Sequence, residues 1–323
     1  LLKSSGQAAL FLGGRALRED ALFHAGRIAA ATGARLICET LPARLQRGAG
    51  RVEVERLPYF AEMATECLSG LRQMVFIGAK PPVAFFAYPG KPSWLSPSSA
   101  TLFEFHKTSI DAESTLRRLA DELAAPASPK VVKQEPPPTF VEGKLTRQSA
   151  GIITAALIPE DAIVSDESGT SGGPFYNHAA TSPKHDWLII TGGSIGQGLP
   201  VATGAAVACP ERKVIALQAD GGGMYTLQAL WTMARENLDV TIIIMKNNSY
   251  GILNIELGRV GVENPSEKTL SLLDLTNPIL DWVALSTGMG VPASSVTTTD
   301  EFSSALKDAI NNKGPRLIEA VLV

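Results

Sequence analysis

Two polar turns, at Asp220 and Asn247, carry the residues with the clearest chemical potential. Each turn follows an apolar run, residues 214–218 before Asp220 and residues 241–245 before Asn247. The spacing of 27 residues (247 − 220) leaves room for one helix and a returning strand. Carboxylate and amide oxygens are ligands that Mg²⁺ and Ca²⁺ prefer, usually together with substrate phosphates. The three glycines at 221–223 let a backbone approach a diphosphate closely, so the sequence predicts a metal–diphosphate site.

Each of these features also has a structural interpretation. Asp-Gly and Asn-Asn are common turn pairs, and three glycines also occur in flexible loops. Their fixed spacing, each after an apolar strand, favours the site over three unrelated turns. A helix predicted to begin near Tyr225 would direct its positive end at the same anion.

This pattern resembles the thiamine diphosphate signature of acetolactate synthase, benzoylformate decarboxylase and pyruvate decarboxylase. In that signature an Asp-Gly pair precedes an asparagine turn by about 27 residues. The first glycine of the usual Gly-Asp-Gly is Ala219 here. The resemblance implies Mg²⁺ bound by the Asp220 carboxylate, the Asn247 amide oxygen and the Ser249 backbone carbonyl. It also implies a diphosphate held by four backbone amides, those of Gly221, Gly222, Tyr250 and Gly251.

A second segment, TGGSIGQGLPVATGAAVA at residues 191–208, resembles the family's loop before its long helix. There a bulky apolar residue supports the bent cofactor between its two rings, and Ile195 occupies that position. The resemblance implies that the Gly193 carbonyl accepts a hydrogen bond from the aminopyrimidine, so both residues are assigned to cofactor activation. The alternative is a glycine-rich turn with Ile195 in the core.

A third segment, DESGTS at residues 166–171, follows the apolar run at 162–166. It resembles the decarboxylase loop whose glycine, threonine and serine meet the diphosphate. Gly169, Thr170 and Ser171 are therefore candidates for cofactor binding. A serine-rich turn is the alternative.

The resemblance implies conversion of 2-oxo acids that depends on thiamine diphosphate and Mg²⁺, with decarboxylation followed by protonation or by condensation with a second carbonyl. It directs Ile252 and Leu253 toward the substrate, and Leu253 is apolar as in acetolactate synthase and benzoylformate decarboxylase. Phe85 stands roughly where benzoylformate decarboxylase has a catalytic histidine. We therefore expect an acetolactate synthase-like carboligase. A simple 2-oxo acid decarboxylase of the benzoylformate or pyruvate type is the alternative.

Alternating apolar runs and helical patterns surround these motifs. The runs at 8–12, 36–40 and 74–78 and those at 162–166, 214–218, 241–245 and 316–323 predict strands of parallel sheets. Because the runs are apolar on both faces, helices must cover both sides of each sheet. We expect an α/β fold with two Rossmann-like domains, the second with the thiamine diphosphate-binding fold.

A proline-rich stretch divides the two halves. It predicts a first domain at 1–128, a linker at 129–141 and a second domain at 142–323. The first resembles the family's middle domain, for which a bound FAD stays open, and the second resembles its diphosphate-binding domain. No segment resembles the family's N-terminal pyrimidine-binding domain, which supplies an activating glutamate. The chain by itself is therefore expected to be inactive, and the family assembles as homodimers or homotetramers.

Composition excludes several other classes of protein. Apolar residues make up 45% and charged residues 19% of the 323 residues, and the mean hydropathy of +0.10 excludes a disordered chain. A net charge of −3 argues against nucleic acid as a partner. No apolar run reaches the ~18 residues needed to span a membrane. The three cysteines lie far apart in the sequence, which predicts a protein of the reducing cytoplasm.

Two functions other than a thiamine diphosphate-dependent enzyme are also compatible with the sequence. The pair Gly13-Gly14, after the first apolar run, would suit an NAD-dependent dehydrogenase, but no G-x-G-x-x-G accompanies it. A tight strand-to-helix turn is the structural alternative. A degenerate family member could also serve as a non-catalytic cofactor-binding module.

Overall fold

The structure, a computed structural model, describes residues 2, 7–105, 111–136, 139 and 142–323. The chain forms two compact units, Leu1–Lys133 and Gln134–Val323. The division lies inside the segment 129–141 that was predicted as a linker. The described part of that segment has neither helix nor strand, and Pro137 and Pro138 lie outside the described residues.

The first unit contains a parallel sheet with strand order β4-β2-β1-β5-β6. Its strands and helices are, in chain order, β1 (Ala8–Leu12), α1 (Glu19–Thr32), β2 (Arg35–Cys38), β3 (Leu45–Arg47), β4 (Glu55–Arg56), α2 (Ala61–Cys67), β5 (Gln73–Ile77), β6 (Thr101–Phe105) and α3 (Ala112–Glu122). The central strands β1 and β5 are almost wholly apolar and buried, because helices must cover both faces of a parallel sheet.

The second unit contains parallel strands in the order β11-β12-β10-β9-β7-β8. Its elements are α4 (Arg147–Leu157), β7 (Ala162–Glu167), α5 (Gly173–His178), β8 (His185–Ile189), α6 (Gly198–Ala208), β9 (Val214–Ala219), α7 (Asp220–Gly223), α8 (Ala229–Arg235), β10 (Val240–Lys246), α9 (Gly251–Arg259), α10 (Glu267–Ser271), α11 (Trp282–Gly288), β11 (Ala293–Val296), α12 (Thr299–Asn311) and β12 (Arg316–Val321).

The apolar runs of the sequence become these buried strands. Ile242 and Ile244 of β10 pack with Leu199 of α6 and Leu230 of α8 in the core of the second unit. Since β7, β9 and β10 are parallel neighbours, their carboxyl ends lie along one edge of the sheet. Ligands collect at that edge in open α/β sheets. The predicted α/β class, with helix-covered parallel sheets, is confirmed.

One local prediction is wrong. No helix begins near Tyr225; a single helical turn, α7, starts at Asp220 itself, and the next helix, α8, starts at Ala229. Thr226 donates a hydrogen bond from Oγ1 to the carbonyl oxygen of Gly196 at 2.7 Å. That bond ties residues 224–228 to the loop before α6 and interrupts the helix.

The structure also bears on the membrane-span and cysteine predictions. Among the described residues, no helix combines the length and the apolar content needed to cross a membrane. All three cysteines, Cys38, Cys67 and Cys209, are free thiols.

Candidate functional site

Asp220 is the centre of the polar cluster at the carboxyl edge of the second sheet. Its side chain is only 2% exposed. Oδ2 accepts hydrogen bonds from the amides of Asn247 at 3.1 Å and Asn248 at 2.8 Å, and Oδ1 accepts one from Gly221 at 2.9 Å. Burial raises the pKa of this carboxyl, and the amide donors oppose that rise. The structure thus joins the two turns that the 27-residue spacing predicted to be neighbours.

The asparagine turn after β10 has a specific backbone shape. Asn248 adopts a left-handed conformation with φ of 54°, which asparagine tolerates better than most residues. The Asn247 Oδ1 accepts a hydrogen bond from the Ser249 amide at 3.0 Å, and the Ser249 carbonyl accepts one from Gly251 at 2.9 Å. The Tyr250 amide donates a hydrogen bond to the Leu273 carbonyl oxygen. This turn therefore holds an amide oxygen and a backbone carbonyl beside the buried carboxylate.

The glycines after Asp220 are required by close packing. A Cβ on Gly221 would lie 2.5 Å from the Tyr250 ring, and one on Gly222 would lie 2.8 Å from the Glu167 carboxylate. A Cβ on Gly223 would lie 2.7 Å from the Trp282 ring. These separations are too short for real contacts, so a side chain at any of the three positions would displace its neighbour. Packing therefore requires glycine at all three positions, which argues against the alternative of a flexible loop.

The loop after β7 meets the turn after β10. Gly169 has φ of 57°, and the loop is anchored at Asp166, whose carboxylate accepts hydrogen bonds from Ser168 and from the Trp187 indole. A Cβ on Gly251 would lie 3.1 Å from Thr170 Oγ1 and 3.4 Å from Asn247 Nδ2. The predicted diphosphate loop of residues 169–171, including the buried Ser171, therefore lies against the predicted metal turn.

The loop after β8 also approaches the glycine turn. Gly192, Gly193 and Gly196 have φ values of 65°, 74° and 97°, in the left-handed region that favours glycine. Ile195 is 54% exposed, so it is not the core residue of the alternative interpretation. Its Cγ2 lies 3.6 Å from the position that a Cβ on Gly222 would take. An exposed branched side chain therefore stands beside the glycine turn.

The candidate substrate residues are less closely joined to this cluster. Ile252 and Leu253 lie in the first turn of α9, and Leu253 is exposed. Phe85 belongs to the first unit, where it is exposed and stacks on Tyr59 with ring centroids 5.1 Å apart. The assignment of these three residues to a substrate pocket stays a prediction.

The sequence patterns indicated no role for two buried polar residues of the cluster. Glu167 at the end of β7 and Gln218 near the end of β9 are 4% and 1% exposed and lie opposite each other in the strand register. Glu167 accepts hydrogen bonds from the amides of Gly196 and Gly198. Gln218 interrupts an otherwise apolar strand, and that interruption was the available sequence signal for it. Glu167 follows two other polar residues, Ser165 and Asp166, so no comparable signal marked it.

The glycine pair of the first unit has a packing explanation. A Cβ on Gly13 would lie 2.6 Å from the Gly78 carbonyl oxygen, where β1 and β5 end side by side. Gly14 donates its amide to Glu39, whose pKa is raised by burial. The contact with Gly78 accounts for Gly13 without a dinucleotide.

The donor set of the second unit fits a magnesium ion bound with a diphosphate. One carboxylate, one amide oxygen and one backbone carbonyl are hard oxygen donors that leave coordination positions for water and phosphate oxygens. Within the described ranges, no group of three His, Cys, Asp or Glu side chains could hold a metal ion. Only glycine fits at the three positions after Asp220, because neighbouring side chains pack directly against the backbone of that turn.

Residues 167–320 match the family description "Thiamine pyrophosphate enzyme, C-terminal TPP binding domain". The match begins at Glu167 and includes every candidate cofactor residue named above. The domain described by that family therefore coincides with most of the second unit.

Two similar proteins have names that refer to acetolactate synthase and to benzoylformate decarboxylase. The chain is 48% identical over 323 residues to "Putative acetolactate synthase large subunit IlvX" of Mycobacterium tuberculosis, covering 100% of this chain and 62% of that protein. It is 33% identical over 211 residues to benzoylformate decarboxylase of Pseudomonas aeruginosa, covering 65% of this chain and 39% of the relative. The chain thus spans less than two thirds of the length of either relative.

A solved structure with the same fold is also similar. The thiamine diphosphate-dependent 4-hydroxybenzoylformate decarboxylase of Rhodococcus jostii RHA1 superposes with a TM-score of 0.81 at 26% identity. The superposition covers 99% of this chain and 62% of that one. The architecture of both units therefore recurs in a protein of this kind.

Proposed function

We propose that this chain is part of a thiamine pyrophosphate-dependent enzyme and that its second unit binds thiamine diphosphate through Mg²⁺ at the ends of β7, β9 and β10. The observation that carries the proposal is the contact between Asp220 and the Asn247 turn. The bonds from the Asn247 and Asn248 amides to the Asp220 carboxylate join the two turns. The joined turns carry a carboxylate, an amide oxygen and a backbone carbonyl, which are the hard oxygen donors that Mg²⁺ prefers.

The residues of the cluster take distinct roles in this proposal. Mg²⁺ would be held by the Asp220 carboxylate, the Asn247 amide oxygen and the Ser249 carbonyl. The diphosphate would lie on backbone amides and on the loop after β7, at Gly221, Gly222, Tyr250, Gly251, Gly169, Thr170 and Ser171. To bind it, the amides of Gly221, Tyr250 and Gly251 would exchange their bonds to protein acceptors for bonds to phosphate oxygens. Ile195 would support the cofactor between its rings, and the Gly193 carbonyl would accept a hydrogen bond from its aminopyrimidine. When bound, the cofactor supplies an electron sink for decarboxylation of a 2-oxo acid.

Within this class we favour an acetolactate synthase-like carboligase. The support is the 48% identity, over all 323 residues, to a relative with that name, together with an apolar Leu253 after the metal turn. A non-oxidative 2-oxo acid decarboxylase is the second candidate. It is supported by the 33% identity to benzoylformate decarboxylase and by the 0.81 TM-score with the 4-hydroxybenzoylformate enzyme. A non-catalytic cofactor-binding module is the third.

Product analysis distinguishes these candidates. The full-length protein, with the pyrimidine-binding domain that is expected to supply the activating glutamate, is given thiamine diphosphate, Mg²⁺ and pyruvate and is assayed for acetolactate. It is then given benzoylformate and assayed for the aldehyde. Acetolactate supports the carboligase, whereas aldehyde alone reverses the choice. Cofactor binding without either product favours the module. Light scattering tests the proposed homodimer or homotetramer, and visible absorption tests for a flavin.

Calorimetric binding of thiamine diphosphate, with and without Mg²⁺, tests the site. Asp220→Ala is expected to lower metal-dependent affinity by more than about 100-fold, because even loss of a residue behind a metal ligand costs 10–100-fold. Asp300→Ala, which removes an exposed carboxylate in the first turn of α12, is the matched control and should bind like the wild type. Unchanged affinity in Asp220→Ala would remove the central claim.

A further inference from the structure

Glu167 is a buried carboxylate with both oxygens engaged by one loop. It ends β7, in a strand that begins with three buried apolar residues. Oε1 accepts a hydrogen bond from the Gly196 amide at 2.6 Å, and Oε2 accepts one from the Gly198 amide at 2.5 Å. Burial of a carboxylate is costly unless it is well bonded, and these two short bonds satisfy that condition.

The carboxylate lies between two predicted cofactor segments. A Cβ on Gly222, in the glycine turn, would lie 2.8 Å from Oε1, and a Cβ on Gly198 would lie 3.0 Å from Oε2. Gly198 is the first residue of α6, whose opening amides lack acceptors within the helix. Glu167 therefore supplies an acceptor to the start of α6 while it touches the turn after β9.

The loop that Glu167 holds is the one that carries Ile195. Its glycines at 193 and 196 have left-handed backbones and high conformational freedom, so the loop needs external anchors. Thr226 provides one, through its bond to the Gly196 carbonyl. Glu167 provides two more, on either side of Gln197 and directly after Ile195.

We propose that Glu167 is a positioning residue that fixes the loop of residues 193–198, so that Ile195 and the Gly193 carbonyl meet the organic rings of the cofactor. The inference rests on the proposed function, since it needs thiamine diphosphate at this site. A carboxylate suits the task because it offers acceptors to two amides at once. A glutamine has one acceptor oxygen and would turn an NH₂ donor toward the other amide.

Glu167→Gln tests this role through binding. Inorganic diphosphate with Mg²⁺ reaches only the metal and diphosphate turns, whereas thiamine diphosphate also reaches the loop. We expect affinity for thiamine diphosphate to fall about tenfold or more, while affinity for inorganic diphosphate stays within about twofold. Glu160→Gln, an exposed glutamate just before the start of β7, is the matched control and should change neither affinity.

Amide hydrogen exchange supplies a readout that does not require cofactor. In the wild-type chain the Gly196 and Gly198 protons should exchange slowly, and in Glu167→Gln at least one should exchange about tenfold faster. If the glutamine variant does not fold, Glu167→Asp keeps the charge but is one methylene shorter, and it should give the same selective loss of thiamine diphosphate affinity.

The outcomes separate the two proposals. Unchanged affinity for thiamine diphosphate in Glu167→Gln, or an equal loss for both ligands, overturns the positioning role. A wild-type chain that binds neither ligand in the presence of Mg²⁺ overturns the proposed function instead.

Discussion

Gly251 lies so close to Thr170 that a Cβ on the glycine would stand 3.1 Å from the threonine Oγ1. Gly251 begins α9, after the turn of β10, and Thr170 belongs to the loop after β7. These segments follow strands that are not neighbours, because β9 lies between β7 and β10. The proposed site is thus closed by contact between two loops above the end of β9.

Gly251→Ala should weaken thiamine diphosphate binding by several-fold to about tenfold. The added methyl group lies 3.1 Å from Thr170 Oγ1, so the threonine side chain must move slightly away from Gly251, where the diphosphate is proposed to bind. Gly258→Ala, in the same helix, meets nothing within 4 Å and is the matched control. We expect the control to raise the free energy of unfolding by up to about 1 kcal/mol and to leave affinity unchanged. Calorimetry and urea unfolding measure both quantities; equal affinities for the two variants contradict the prediction.

Ile195→Ala should reduce cofactor affinity without reducing stability. The side chain is 54% exposed, so its truncation should change the free energy of unfolding by no more than about 0.5 kcal/mol. Contact with a bound cofactor would bury it, and loss of about 1.4 kcal/mol of that contact corresponds to a tenfold weaker affinity. Val207→Ala, at an exposed position in α6, is the control. Wild-type affinity in Ile195→Ala would show that this residue does not contact the cofactor.

The contact between Asp220 and Asn247 was predictable because it depends on neighbouring strands. Once two apolar runs are assigned to adjacent parallel strands, the residues that follow them must lie at one edge. Glu167 was not predictable in the same way. Its partners, Gly196 and Gly198, lie 29 and 31 residues later in a loop whose path no periodicity describes. The interruption of the helix near Tyr225 has the same origin, since it depends on the bond from Thr226 to that loop.

Glu301→Gln should destabilise the chain near neutral pH and not at low pH. Hydrogen bonds from the backbone amides of Thr297 and Thr298 lower the pKa of Glu301, which caps α12. Because the pKa is lower in the folded state, the carboxylate contributes stability above the unfolded-state pKa, and that contribution is lost as the pH falls through the lower value. Glu263→Gln, exposed and outside any helix, is the control.

Urea unfolding across the acid range measures this difference. The gap in free energy of unfolding between wild type and Glu301→Gln should be constant near neutral pH, then shrink and vanish as Glu301 becomes protonated. A gap that is independent of pH would mean that the charge of Glu301 does not stabilise α12.

Trp187→Phe should cost more stability than Trp282→Phe, although both indoles are fully buried. The Trp187 Nε1 donates to Asp166 Oδ2 at 2.9 Å, whereas the Trp282 Nε1 has no hydrogen-bond partner within the described part of the chain. Both substitutions remove similar volume. The difference between the two losses in free energy of unfolding therefore measures the cost of leaving the buried Asp166 carboxylate without its indole donor, about 1–3 kcal/mol. Urea unfolding measures it, and equal losses would contradict it.

The same pair of variants connects stability to the site. Asp166 also anchors Ser168, immediately before the loop that contains Thr170. When its indole donor is lost, Asp166 can reorient and carry that loop away from Gly251. Trp187→Phe should therefore weaken binding of inorganic diphosphate with Mg²⁺ by a few-fold. Unchanged diphosphate affinity, with the expected loss of stability, would mean that Asp166 supports the fold and does not set the position of Thr170.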